Sequence, residues 1–505
     1  MNDLLEALRR YWGYSAFRPL QERIARSLLG GRDACVVMPT GGGKSLCYQL
    51  PAVMLPHRTV IVVSPLIALM QDQVAQLSQM GVPAALLNST LDETEQAVVI
   101  RRAQEGMYRL LYLSPERLGR PDTVEWLRRV PISIFAIDEA HCISEWGHEF
   151  RPDYRKLSGL RDRFPDCAIA AVTASATQPV RHDIIEQLKL RDPDRYIASF
   201  HRPNLRYLVQ ETSTLTQDDL LVSTLRKHTG ESAIIYAPTI ARVAATISLL
   251  QENGIEAIPY HGKMDVTTRC RNQERWISNE ARVLVGTIAF GLGIDKADVR
   301  TVIHLSLPKS VEQYYQEAGR AGRDGRPADC LLLWRKQDAA LLAHFIGQIG
   351  DAAERERAWQ RYHAIRRFAD SRVCRHLQIC RHFGENPKWR DCAACDICAG
   401  GFEPLEAPAP PERTRRKKKR AAPAEDSALH ESLRLWRTRE SREQGVPAYV
   451  ILHDKTIAEI CNERPRSLAE LRGVSGLGEK KTERYGQHIL EILRQCAARP
   501  ARRTS

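Results

Sequence analysis

Between about residue 30 and residue 335 the chain alternates short apolar, β-branched runs with segments of helix length. Runs at 34–38, 59–64, 132–137 and 168–173 form one series, and runs at 233–237, 282–286, 301–305 and 330–334 form a second. Hydrophobicity within each run is continuous rather than alternating, the pattern of strands covered on both faces. Two such series predict an α/β chain with two lobes of similar design, each a parallel sheet wrapped in helices. Pro203 interrupts regular structure in the segment 199–204, which marks the junction, so the lobes are placed at 1–205 and 206–338. From Ala339 the pattern turns helical and rich in Ala, Arg and His, and 339–400 is read as a separate helical subdomain. Residues 400–411 hold four prolines and two glycines, and 401–426 reads as a linker. Amphipathic helical spacing returns beyond Leu429, predicting a small all-α module over 427–500.

Charge adds a partner to this outline. The formal charge is +13, and from Gly401 onward 22 Lys and Arg stand against 15 Asp and Glu, so about half the surplus lies in the last fifth of the chain. Seven of the eight residues from Arg413 to Arg420 are basic. A solvated basic block is the plain reading and contact with a polyanion the functional one. No run approaches the roughly 18 apolar residues of a membrane span, and Met1-Asn2-Asp3-Leu4 does not open a secretory signal. A cytoplasmic protein with no membrane partner is expected. The 13 cysteines fit that compartment: most sit singly in apolar runs, and their odd number and irregular spacing argue against a disulfide framework.

Three separated segments carry candidate chemistry. Pro39-Thr40-Gly41-Gly42-Gly43-Lys44-Ser45 lies between a predicted strand and helix. Its glycines let backbone N–H groups turn onto phosphate oxygens, Lys44 would reach the β and γ phosphates, and Ser45 would ligate Mg²⁺. Met38 stands where the longer form of this motif has its first glycine. Asp138-Glu139-Ala140-His141 follows the apolar run 132–137 directly, where α/β sheets place ligands. Asp138 would hold Mg²⁺ and Glu139 would orient or deprotonate the attacking water. Arg320 and Arg323 lie in a Gly-Arg-Ala-Gly-Arg-Asp-Gly turn, read as following the second lobe's sheet, with Gln316-Glu317-Ala318 directly before it. Arginines from a second lobe can neutralise charge on a γ-phosphate and make hydrolysis depend on lobe closure. Together the segments predict a motor ATPase with its site between the lobes.

These residues resemble a RecQ-type DNA helicase of superfamily two, over about residues 11–401. The stretch from Tyr14 through Arg18 to Gln21 is similar to the family's adenine-reading motif, which implies Gln21 on the base edge with Tyr14 and Arg18 flanking the ring. Val63–Gln73 and Tyr112–Arg117 resemble its DNA-backbone motifs, 173–177 its coupling motif with Ser175 inserted, and 286–296 its second-lobe motif. The stretch 142–152 resembles the aromatic-rich loop that links DNA occupancy to hydrolysis. The resemblance implies coupling roles for His141, Trp146, Phe150 and Arg151, and aromatic or guanidinium stacking on bases is sound chemistry for them. Packing of the aromatic rings in a core is the alternative.

The only clustered cysteines are Cys374, Cys392, Cys395 and Cys398. Four thiolates with two short spacings read as a structural, tetrahedral Zn²⁺ site. Cys380 is a spare thiol that competes with Cys374, and the resemblance favours Cys374. Long members of the family continue with a winged-helix domain, whereas here only the linker and basic run precede the terminal module. That module resembles an HRDC domain, a helical nucleic-acid-binding unit whose glycine turn at 474–478 would face a phosphate.

The implied protein has two RecA-like lobes, a helical zinc-binding subdomain and a small all-α C-terminal domain, and uses ATP, Mg²⁺ and Zn²⁺. The expected function is 3′-to-5′ DNA unwinding in repair or recombination. Single-stranded and tailed or forked duplex DNA are the expected partners of a monomer, with repair proteins as further partners and a nucleoid location in a bacterium. A translocase that remodels or anneals DNA with little unwinding is the alternative enzyme, and a non-hydrolysing binding protein is the alternative from another class.

Overall fold

The computed structural model describes residues 3–88, 91–147, 149–290, 296–400, 424–444, 446 and 448–497. The linker 401–423 with its basic run, the 291–295 part of the second-lobe motif and His148 of the aromatic loop lie outside them.

Lobe 1 is a seven-stranded, all-parallel sheet. Its strands are β1 (Ala34–Val37), β2 (Thr59–Val63), β3 (Ala84–Leu87), β4 (Leu110–Leu113), β5 (Ile132–Ile137), β6 (Ala168–Thr173) and β7 (Asp194–Ile197), in the order β3-β4-β2-β5-β6-β1-β7. Lobe 2 repeats the plan with β8 (Leu205–Glu211), β9 (Ser232–Tyr236), β10 (Ala257–Tyr260), β11 (Val283–Gly286), β12 (Val299–His304) and β13 (Ala328–Trp334), in the order β10-β11-β9-β12-β13-β8. All residues of β1, β2, β4 and β6 are buried, as continuous apolar runs require when helices cover both faces. The neighbours β5, β6 and β1 bring their C-terminal ends side by side, and that edge positions the site.

A buried ion pair inside the zinc subdomain orients the residue that meets lobe 2. Arg375 donates to both carboxylate oxygens of Asp396, from Nε at 2.9 and 3.2 Å and from Nη2 at 2.9 Å. Asp396 in turn donates its N–H to the Tyr207 carbonyl of β8, at 3.0 Å. The same subdomain grips the segment joining the lobes: Phe383 stacks on Phe200 with ring centroids 4.2 Å apart, and Glu385 accepts from Ser199 Oγ and from the Phe200 N–H.

The C-terminal module packs its own core around Leu433, Trp436, Ile457, Ile460 and Tyr485. It touches both lobes. On lobe 1, Tyr485 donates to Gln79 Oε1 at 2.7 Å and Arg10 pairs with Glu479 at 2.9 Å. On lobe 2, Asn279 donates to Asp454 at 2.9 Å and Arg434 to the Ser278 carbonyl at 2.6 Å. Its glycine turn faces protein here. A Cβ on Gly13 would stand 2.6 Å from the Leu477 backbone, and one on Gly478 would overlap the Tyr11 carbonyl, so both contacts need glycine.

Candidate nucleotide site between the lobes

The phosphate loop leaves β1 and enters the helix Leu46–Met54. Gly41 and Gly43 have φ of 81° and 78°, a region that favours glycine, and a Cβ on Gly43 would collide with Gln21 Nε2. Gln21 is buried, with its amide on the Gly43 carbonyl at 3.1 Å and its Oε1 accepting the Arg18 N–H at 2.8 Å. Arg18 also donates to the Gly41 carbonyl. The residues expected at adenine therefore brace the phosphate loop, while Tyr14 stands 41% exposed at the rim. Lys44 Nζ lies 3.4 Å from the Met38 carbonyl. Burial lowers the pKa of its ammonium, opposed by the charges of Glu139 and Asp138.

Asp138 and Glu139 follow β5 on the same edge. Burial raises the Asp138 carboxyl above its usual range and the adjacent Glu139 charge raises it further. Burial pushes Glu139 upward too, but the hydrogen bond and charge of His141, with Lys44, outweigh it and hold Glu139 below its usual range. His141 Nδ1 lies 3.3 Å from Glu139 and Nε2 3.7 Å from Glu149. Burial opposes charge on that imidazole, yet Cys142, Glu139 and Glu149 raise its pKa well above the ordinary value. The site thus sets two adjacent carboxyl groups beside an imidazole in largely buried surroundings, and a cation at Asp138 would favour its ionised form. Glu139 has φ 46°, a left-handed backbone costing an ordinary residue about 1–2 kcal/mol.

Lobe 2 closes the site. A Cβ on Gly41 would meet Arg323 Cγ at 3.0 Å, so the arginine stem lies directly on the phosphate loop. Arg320 is buried beside it, and Gln316 donates to Ser175 Oγ at 2.8 Å across the interface. The resulting cleft of about 1290 Å³ is lined by Tyr14, Arg18, Gln21, Thr40, Lys44, Ser45, Asp138, Glu139, Arg320 and Arg323, and extends along the C-terminal module.

In the aromatic loop, Trp146 is 56% exposed and Phe150 36%. Behind them the loop is anchored: Arg151 donates to the Pro65 carbonyl at 3.3 Å, and Tyr154 donates to the Asp138 carbonyl at 2.9 Å. Exposed Phe150 is therefore four positions from Tyr154, whose hydroxyl holds the backbone of the acidic pair. Sequence reasoning gave no role to Tyr154 or to the Ser175–Gln316 contact, and it placed Gln73, which donates to Ser45 Oγ at 3.1 Å, only in a DNA-backbone motif. Each lies in or beside a motif, but only the fold shows which atoms meet.

The thiols of Cys374, Cys392, Cys395 and Cys398 all lie within 4.8 Å of one another, and Cys380 is outside the group. Tetrahedral zinc with Zn–S near 2.3 Å spaces sulfurs by about 3.8 Å, so the quartet fits the ion with little movement. Among the described residues no helix is long and apolar enough to cross a membrane.

Two parallel sheets with a phosphate loop on one and arginines on the other define the fold of a two-lobed helicase-type ATPase. Family matches divide the chain in the same way: DEAD/DEAH box helicase over residues 18–184, helicase conserved C-terminal domain over 216–325, RecQ zinc-binding over 336–399 and HRDC domain over 426–493. The ATP-dependent DNA helicase RecQ of Bacillus subtilis is 31% identical, covering 97% of this chain and 98% of the relative. The protein of the same name from Pasteurella multocida is 41% identical over 78% of this chain. That match spans 62% of the relative's length, and the match to the Haemophilus influenzae protein spans 63%. Among solved structures, the DUF1998 helicase MrfA bound to DNA shares the fold with a TM-score of 0.54 at 17% identity, over 66% of this chain and 51% of that one. The DEAD-box helicase Mss116 does so with a TM-score of 0.53 at 16% identity, over 66% and 73%. The chain belongs to the RecQ family.

Proposed function

We propose that this protein is an ATP- and Mg²⁺-dependent DNA helicase that moves 3′ to 5′ on a single strand and opens duplex ahead of it, in DNA repair or recombination. One observation carries the reading: Arg323 of lobe 2 lies on the phosphate loop of lobe 1, so the hydrolytic site is complete only when the lobes close. Coupling closure to hydrolysis converts the chemical step into relative motion. Lys44 and the phosphate-loop N–H groups hold the phosphates, while Ser45 and Asp138 hold Mg²⁺. The metal supplies charge neutralisation on the phosphates. Glu139, kept ionised by His141, takes or orients the proton of the attacking water. The set of Lys44, Glu139 and Arg323 around one cleft speaks against a protein that only binds nucleotide. The names of the Bacillus and Pasteurella relatives support DNA as the track, and the protein works as a cytoplasmic or nucleoid-associated monomer.

A second reading, a translocase that opens little duplex, is favoured by the span 401–423, which is too short for a further domain of roughly a hundred residues. Strand displacement on 3′-tailed and 5′-tailed duplexes decides between them. Displacement of the 3′-tailed substrate alone supports the helicase. DNA-stimulated ATPase with neither duplex opened supports the translocase, and opening only the 5′-tailed one reverses the direction.

Trp146→Ala tests the DNA-coupling loop. A base stacked on an aromatic ring contributes about 1–3 kcal/mol, so the DNA concentration for half-maximal ATPase should rise roughly 5- to 150-fold. Basal ATPase and the melting temperature should hold, because the side chain is largely in water. A parallel fall in basal activity and melting temperature would instead mark Trp146 as packing.

A further inference from the structure

The chain crosses from lobe 1 to lobe 2 between β7 and β8, and one side chain of that crossing reaches the nucleotide site from behind. Arg202 donates from Nη1 to the Thr40 carbonyl of the phosphate loop at 3.1 Å and to the Gly319 carbonyl at 3.5 Å. From Nη2 it donates to the Ala321 and Gly322 carbonyls at 3.2 and 3.1 Å. One guanidinium thus joins lobe 1's phosphate loop to the turn that carries Arg320 and leads into Arg323. We infer that Arg202 is the positioning residue that sets the phosphate loop and the arginine turn in one frame, an assignment that rests on the ATPase reading above.

The geometry explains how. A trans peptide holds its carbonyl and the next N–H in one plane, pointing in opposite directions. Gripping the Thr40 carbonyl therefore fixes where the Gly41 N–H points, and gripping Gly319 and Ala321 does the same for Arg320 and Gly322. The residues flanking Arg202 are held in turn. Phe200 is stacked on Phe383 with its N–H on Glu385 at 2.9 Å, and Asn204 donates to the Gly322 and Arg326 carbonyls at 2.8 and 2.9 Å. The crossing that carries Arg202 is thus held on one side by the zinc subdomain and on the other by the arginine turn. Only a planar fork serves four carbonyls on two sides; a lysine ammonium has the charge without the span. Arg202 lies outside the chemistry, so it acts on turnover by placing Arg320 and Arg323 against the phosphate loop.

The test uses full-length, zinc-loaded protein with Arg202→Ala and Arg202→Lys. Steady-state DNA-stimulated ATPase gives kcat and KM, fluorescent ADP and ADP–beryllium fluoride give affinities, and a melting curve reports the fold. A misplacement of about 1 Å costs on the order of 10²-fold in rate, so kcat should fall by roughly that factor in both variants. KM and ADP affinity should change far less than kcat, the preference for ADP–beryllium fluoride over ADP should shrink, and melting should fall only modestly, as the loss of hydrogen bonds to four carbonyls requires. Restoration by Lys would overturn the fork argument, and losses of ADP binding and melting temperature in step with kcat would make Arg202 merely structural. Wild-type protein that hydrolyses ATP beside an equally active Arg202→Ala variant overturns this assignment alone. Wild-type protein that does not hydrolyse ATP at all overturns the reading beneath it.

Discussion

Replacing Glu139 by Gln should leave ATP–Mg²⁺ binding near normal and slow hydrolysis by roughly 10²- to 10⁴-fold, the usual contribution of a placed general base. The substitution keeps side-chain length and leaves Lys44, Ser45 and the phosphate loop untouched. What it removes is the carboxylate that His141 and Lys44 hold ionised out of water. It also removes one of the two causes that raise the proton affinity of Asp138, the other being burial. Less proton competition at Asp138 means metal binding at neutral pH equal to, or tighter than, that of the native protein. Phosphate release measures turnover, and a fluorescent ATP analogue measures binding. Turnover close to the native rate would take Glu139 out of the reaction, and loss of nucleotide binding would make it a structural residue of the loop.

The second large effect is expected at the cysteine quartet. Protein purified without chelators should carry one zinc per chain, and Cys395→Ala should lose the metal and much of the subdomain's order, because structural zinc supplies folding energy directly, about 10–16 kcal/mol in small zinc-finger peptides. Cys395 is fully buried and accepts the Arg375 N–H at 3.5 Å, next to the Arg375–Asp396 pair that ties the knot to β8. Its failure should therefore reach the lobe junction, where Phe383 and Glu385 hold Phe200. The expected result is an early melting transition or aggregation, with ATPase reduced although every nucleotide-binding residue is native. Cys380→Ala is the control, since that thiol lies outside the quartet. Cys380→Ala should keep its zinc, and metal lost there with metal retained in Cys374→Ala would exchange the two ligands.

The central strands were legible because burial on both faces writes an unbroken apolar run. The strands that the pattern missed are mostly those at sheet edges. β3 and β7 bound the first sheet, β10 and β8 the second, and β7 reads Asp-Arg-Tyr-Ile, half open to water. β10 contains Pro259, which cannot donate to a ladder and is tolerated at an edge. β4 is apolar but only four residues long. At the site, residues whose chemistry is local, such as Lys44, Asp138 and the cysteines, could be read one by one. Residues whose meaning is a partner could not. Nothing in a sequence places Gln316 on Ser175, Tyr154 on the Asp138 carbonyl or Arg202 on Thr40, because these pairs are set by how strands are ordered and lobes are stacked. The contact of the glycine turn at 474–478 with Tyr11 and Gly13 could not be read for the same reason.

That last contact has a bearing on how the chain is made. Leu477 is synthesised 464 positions after Gly13. At the usual ~5–20 residues per second their synthesis is separated by roughly half a minute to a minute and a half. Throughout that interval the surface around Tyr11, Gly13 and Gln79 lacks the covering it has in the finished molecule. Lobe 1 must therefore remain soluble as a nascent domain with one face unfinished, and a segment made late completes the packing of one made early.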